Sequence, residues 1–118
     1  DLTKLINTNK SLNNLFLNAE CYYGKNLQNK CLGYIRSLSI KQAIIIINTT
    51  TVAPNDYVCL TFHNPSNTVS KELITINGQV NKSLKLNNKK EYSLITIKFT
   101  NVSYKDVQKL NECLTNIL

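Results

Sequence analysis

Methionine and tryptophan are absent from this 118-residue chain, histidine and arginine occur once each, proline twice and glycine three times. Without a methionine, the chain is expected to begin downstream of a processing point, compatible with a removed leader. No apolar run approaches the ~18 residues a membrane-spanning helix needs, so no membrane is expected and the chain reads as soluble. His63 stands alone and the four cysteines, Cys21, Cys31, Cys59 and Cys113, form no Cys-x-x-Cys pair, which argues against a zinc site and leaves no metal or cofactor expected. His63 has no carboxylate or thiol at a triad-like spacing, the seven acids are scattered and no glycine-rich phosphate loop occurs, so no enzymatic activity is expected.

What is present is a basic, asparagine-rich globular composition. Hydrophobic residues make up 42% and charged ones 18%, and the net charge of +7 comes from thirteen lysines and Arg36 against seven acids. That balance suits an anionic partner or a solvated basic surface. Lysine attracts phosphate as a point charge but lacks the two-pronged geometry with which arginine reads a guanine edge, so any nucleic-acid contact would be led by the backbone. A chain of this length forms one domain and buries roughly two thirds of its unfolded surface without a staple. The cysteines are then either free thiols of a reducing compartment or two disulfides of a secreted protein. Sequons at Asn9, Asn48, Asn81 and Asn101 decide little, because about three would arise by chance at this asparagine content.

Along the chain, Leu2, Leu5, Ile6, Leu12, Leu15 and Phe16 recur at spacings of three and four and predict helical turns, giving an N-terminal helical arm over 1–28. From residue 29 the pattern becomes β. The first strand runs over 30–40, with Gly33 marking a bulge, a sharp coil or a close backbone approach, and the second over 42–50 with four consecutive isoleucines. Ala53-Pro54-Asn55-Asp56 is a turn signal. Further strands follow at 57–62, at 71–80 around Gly78, and at 91–102, with a basic, solvated loop or hairpin arm over 82–90. Val107, Leu110, Leu114 and Ile117 then mark an amphipathic helix over 103–118. The expected fold is all-β with flanking helices, a five-stranded OB-fold Greek-key barrel over 29–118 that includes the C-terminal helix. Strand parity puts Cys31, Gly33, Ile35, Ile74, Ile76, Gly78 and Val80 inside, and Tyr34 and Arg36 outside.

Over about residues 28–118, Leu32-Gly33-Tyr34-Ile35, Asn77-Gly78-Gln79-Val80 and a helix after Asn101-Val102-Ser103 resemble the small single-OB subunits of telomeric and replicative single-strand-binding complexes. The likeness is to the smallest subunits of the telomere-capping CST complex and of replication protein A. It implies an accessory nuclear, telomeric subunit that pairs with a larger OB-fold protein through its C-terminal helix, with Val107, Leu110, Cys113, Leu114 and Ile117 as partner-binding residues. Single-stranded DNA is the second implied ligand, with Tyr34, Arg36 and Lys98 as its contacts. The alternative is a secreted, disulfide-bonded glycoprotein that binds a host or receptor protein, with Cys21–Cys31 and Cys59–Cys113 as one of three possible pairings.

Overall fold

A computed structural model describes residues 11–64, 72–86 and 91–116. Among the described residues seven antiparallel strands precede one α-helix: β1 (Ser11–Leu12), β2 (Leu17–Tyr23), β3 (Asn29–Ser39), β4 (Gln42–Ile47), β5 (Tyr57–His63), β6 (Leu73–Lys85), β7 (Ser93–Phe99) and α1 (Tyr104–Asn116), with a 3-10 turn at Lys25–Leu27 between β2 and β3. Pairing runs β3-β2-β5-β6-β7-β4, and β4 pairs back onto β3, so six strands close a barrel; β1 is a short addition beside β3. The all-β barrel with a C-terminal helix is thus observed, but six strands close it where five were expected. The sixth is β2, in the stretch expected to belong to a helical arm. Leu2, Leu5 and Ile6 lie outside the described residues.

Alternation explains the closure. Along β4, Ala43, Ile45 and Ile47 are buried while Ile44 and Ile46 face outward; β7 buries Ile95 and Ile97 in the same way. Isoleucine is β-branched and stiff at χ1, and a pleated half-buried surface suits it. The expected interior residues of β3 and β6 are inside. Gly33 and Gly78 are places of close approach: a Cβ on Gly33 would lie 2.5 Å from the Ile46 carbonyl oxygen, and one on Gly78 would lie 2.3 Å from Ile97 Cγ2. The bulges themselves fall elsewhere, at Arg36 in β3 and Asn81 in β6, where the register slips by one residue. β6 runs on to Lys85 and pairs with β7, so of the expected loop or hairpin arm Lys82 and Lys85 sit on a hairpin arm; residues 87–90 lie outside the described set.

Local side chains fix the connections. Ser39 Oγ accepts from the backbone N–H of Lys41 and Gln42, both at 3.2 Å, and so shapes the β3–β4 turn. Asp56 accepts from Ala53 N–H at 2.9 Å across the expected Ala53–Asp56 turn. At the head of α1, Ser103 Oγ accepts from Asp106 N–H at 3.1 Å and donates to the Asp106 carboxylate at 2.8 Å, a reciprocal cap that also places a negative charge at the helix N-terminus. Leu110, Cys113 and Leu114 are fully buried in the barrel core, where each leucine contributes about 1.5–3 kcal/mol of burial. Lys109 pins the helix to the start of β6, donating to the Leu73 carbonyl at 3.2 Å and pairing with Glu72 at 3.4 Å. No described helix is long and apolar enough to cross a membrane.

Candidate functional site

The outer wall of the barrel carries an apolar row that the fold does not bury. Tyr34 on β3 faces Ile46 on β4, Ile46 faces Leu94 on β7, and Leu94 faces Leu84 on β6, each as a directly opposed pair. Tyr34 is 47% exposed and Leu84 61%; Leu32, one outward position along β3, is 57% exposed. Beside the row, Asn18, Leu32, Gly33, Tyr34, Asn48 and Tyr92 line a shallow groove of about 370 Å³. Asn48 holds its edge, since its side-chain oxygen accepts from Leu32 N–H at 3.1 Å while its own N–H donates to the Leu32 carbonyl at 3.0 Å. Arg36, Lys82 and Lys98 occupy outward positions on one side of the row, giving the wall a basic flank.

One corner of this wall gathers polar and aromatic groups. Between β1 and β2, residues 13–16 cross the bulge of β3, turned by Asn14 at φ 59°. The bulge puts Arg36 and Ser37 on the same outer side, because the extra residue is left unpaired and the strand bends. Leu15 N–H donates to the Arg36 carbonyl at 3.0 Å, the Arg36 guanidinium donates back to the Leu15 carbonyl, and Ser37 Oγ donates to the Asn13 side-chain oxygen at 2.9 Å. The guanidinium also stacks on Phe16, 3.7 Å from the ring centroid, and the ring itself is 76% exposed. Lys41 lies exposed in the β3–β4 turn, beyond Ser39 at the end of β3.

Tyr34, Arg36 and Lys98, named from the sequence as a DNA platform, all face outward but do not converge. Tyr34 is opposite Ile46, whereas Lys98 is opposite Gln42, four residues and about 13 Å further along β4. The only arginine already holds the N-terminal segment. Of the residues expected to bind a larger OB-fold partner, Leu110, Cys113 and Leu114 are inside this chain's own core and Val107 is half-buried; Ile117 lies outside the described residues. That partner surface is therefore corrected: Leu110, Cys113 and Leu114 pack into the core of their own barrel, because a helix buries its apolar stripe against the nearest element that offers one. Phe16, Ile46, Leu94 and Leu84 were missed by sequence reasoning.

The four cysteines are free. Among the described residues no cluster of three histidine, cysteine or acidic side chains could hold a metal ion. Burial pushes the Cys113 thiol up to about 11, and burial first, then the nearby Asp106 charge, raises Cys59. Lys30 pairs with Glu20 across β2 and β3 at 3.1 Å, which lowers the carboxyl and raises the ammonium.

The sequence matches no protein-family model and no curated protein. Solved structures do match. MotI, the inhibitor of motility of Bacillus subtilis, superposes with a TM-score of 0.69 at 11% identity over 90% of this chain and 48% of its own. MrkH of K. pneumonia, in its apo state, gives 0.66 at 17% identity over 90% and 48%. The PilZ domain of Escherichia coli YcgR, solved with c-di-GMP, gives 0.60 at 11% identity over 86% of this chain and 85% of that domain. The barrel has the PilZ fold. The chain spans about half the length of MotI and of MrkH, and nearly all of the YcgR PilZ domain.

This PilZ-like architecture overturns the resemblance to the CST and replication protein A subunits. With it go the larger OB-fold partner, the single-stranded-DNA ligand and the nuclear, telomeric setting, since these neighbours are bacterial proteins and one is a c-di-GMP complex. The secreted, disulfide-bonded glycoprotein falls to the same finding and to the four free thiols. The error has a physical origin: glycines at tight points of two strands and a helix plugging one end are demands of small antiparallel barrels in general.

Proposed function

We propose that this chain is a non-catalytic regulatory domain of the PilZ type, working in bacterial cyclic-di-GMP signalling by binding rather than by turnover. The observation that supports it most is the correspondence of barrel and helix with the YcgR PilZ domain, a unit of matching extent whose structure contains c-di-GMP. A cyclic dinucleotide offers two purine faces and two phosphates, and the 13–16 corner offers groups for both. Phe16 and the Arg36 guanidinium supply stacking surfaces, Asn13 and Ser37 supply polar contacts, and Lys41 supplies a charge for phosphate. The guanidinium is shared with the Leu15 carbonyl, so stacking and lysine attraction carry most of the affinity. The apolar row Tyr34–Ile46–Leu94–Leu84 is the face through which bound and free states would be read by a neighbouring surface.

Calorimetric titration with c-di-GMP tests this. Binding is expected with a Kd no tighter than about 1 µM, weakening with salt and abolished by Phe16→Ala or Arg36→Ala in protein that remains folded. Absence of heat at about 1 mM ligand would overturn the ligand assignment.

A further inference from the structure

We propose that Cys21 and Cys31 form a reversible redox pair, closing to a disulfide inside the barrel under peroxide and reopening under a thiol reductant. Cys21 on β2 and Cys31 on β3 are directly opposed in an antiparallel ladder, and both side chains point into the core. Directly opposed residues of such a ladder have Cα atoms about 4.5 or 5.5 Å apart, and a disulfide accepts Cα separations of roughly 4.4–6.8 Å. Either type of pair therefore satisfies the backbone requirement. The Cβ atoms, about 4.5–5.5 Å apart in opposed pairs, need only a small approach to reach disulfide geometry.

The two thiols are not equivalent. Cys21 is fully buried and Cys31 keeps 6% exposure. The two facing thiols shift each other, Cys31 downward beside Cys21 and Cys21 upward beside Cys31 and by burial, so the more accessible sulfur is also the first to ionise. In the oxidation step the Cys31 thiolate attacks one oxygen of hydrogen peroxide; the O–O bond breaks, a sulfenic acid forms and hydroxide leaves, taking up a proton to become water. Cys21 sulfur then attacks the sulfenic sulfur and loses its proton as the S–O bond breaks, releasing a second water and leaving the disulfide. Two thiols are oxidised and one peroxide is reduced. The bond staples the β2–β3 hairpin two positions from its turn-end pair Tyr23–Asn29 and four from Leu17–Ile35, beside the corner at 13–16.

The test uses the native chain treated with hydrogen peroxide, alkylated, and digested with trypsin without reduction. Cleavage after Lys25, Lys30 and Arg36 separates the two cysteines onto different peptides. The expected product is a Cys21–Cys31 linked peptide in at least about tenfold excess over any other pairing, because the barrel gives these two sulfurs the highest effective concentration. Dithiothreitol should restore both thiols, and amide exchange across residues 17–23 should be slower in the oxidised form. The same treatment in guanidinium should lose the selectivity. Cys21→Ser, if it folds, should convert Cys31 to the sulfinic acid; if it does not fold, the linked-peptide ratio in the native chain decides alone. Oxidation falling first on Cys59 or Cys113, or Cys31 over-oxidised without a link in the native chain, would overturn the proposal.

Discussion

The inner and outer faces of β3, β4, β7 and β6 both carry large apolar residues, yet only the inner face buries them fully. Inside, Ile35, Ile45 and Ile95 are fully buried and meet Leu110 and Leu114 of the helix in one core. Outside, Tyr34, Ile46, Leu94 and Leu84 stand in a row that the described residues leave exposed at Tyr34 and Leu84 and half-buried at Ile46 and Leu94, flanked by Arg36 and Lys82. Apolar residues on both faces of an antiparallel sheet are more than the fold requires, since one solvated face is the usual arrangement. The inner set answers to stability, and the outer set is surplus to it.

Charge in the core separates the faces most sharply. Leu110→Asp or Leu114→Asp should unfold the domain or cost at least about 3 kcal/mol in urea denaturation, since a carboxylate would be buried without a partner. A stable, folded Leu110→Asp variant would return the helix stripe to the role of a partner surface. Neighbouring isoleucines give the same contrast at smaller scale: Ile45→Ala should cost about 2–5 kcal/mol, and Ile46→Ala below about 1 kcal/mol. Equal losses at the two positions would dissolve the distinction between the faces.

The corner should show an intermediate effect. Arg36→Ala removes a hydrogen bond to the Leu15 carbonyl and the stack on Phe16, and is expected to lower stability by about 1–2 kcal/mol. Arg36→Lys keeps the charge without the planar fork and should recover less than half of that loss in the same denaturation experiment. The smallest effect belongs to the Glu20–Lys30 pair. Its carboxyl lies below the usual value of 4.5 in the folded state, so its contribution is present above that value and fades as pH falls through the depressed one. Glu20→Gln should flatten this part of the acid stability profile while changing little near neutral pH.

Much of this fold was legible in the sequence, for identifiable reasons. The isoleucine run of β4, the alternation in β5 to β7 and the spacing of Leu110 and Leu114 are strong periodic signals, and they placed five strands and the helix within a few residues of their observed bounds. β2 was not legible. Leu17–Tyr23 carries Asn18 and Glu20 on its outer face and follows leucines whose spacing fits a helix equally well. Missing that strand turned a six-stranded barrel into a five-stranded one and led to the wrong relatives.

The candidate site was half legible. Parity alone set Tyr34 and Arg36 outside, but their neighbours depend on register between strands up to fifty positions apart in the chain, which no local pattern encodes. Leu94 and Leu84 therefore looked like ordinary strand residues. Phe16 looked like part of a helical stripe, although it is the ring on which Arg36 rests. A bulge at Arg36, the residue that makes the corner, has no sequence signal comparable to a glycine or a proline.

Residue-resolved NMR of the folded chain titrated with c-di-GMP tests the binding role most directly. Shifts confined to Asn13, Phe16, Arg36, Ser37 and Lys41, saturating with ligand and lost in Phe16→Ala, are the expected result. Unchanged spectra at about 1 mM ligand, or shifts confined to residues away from this corner, would contradict it.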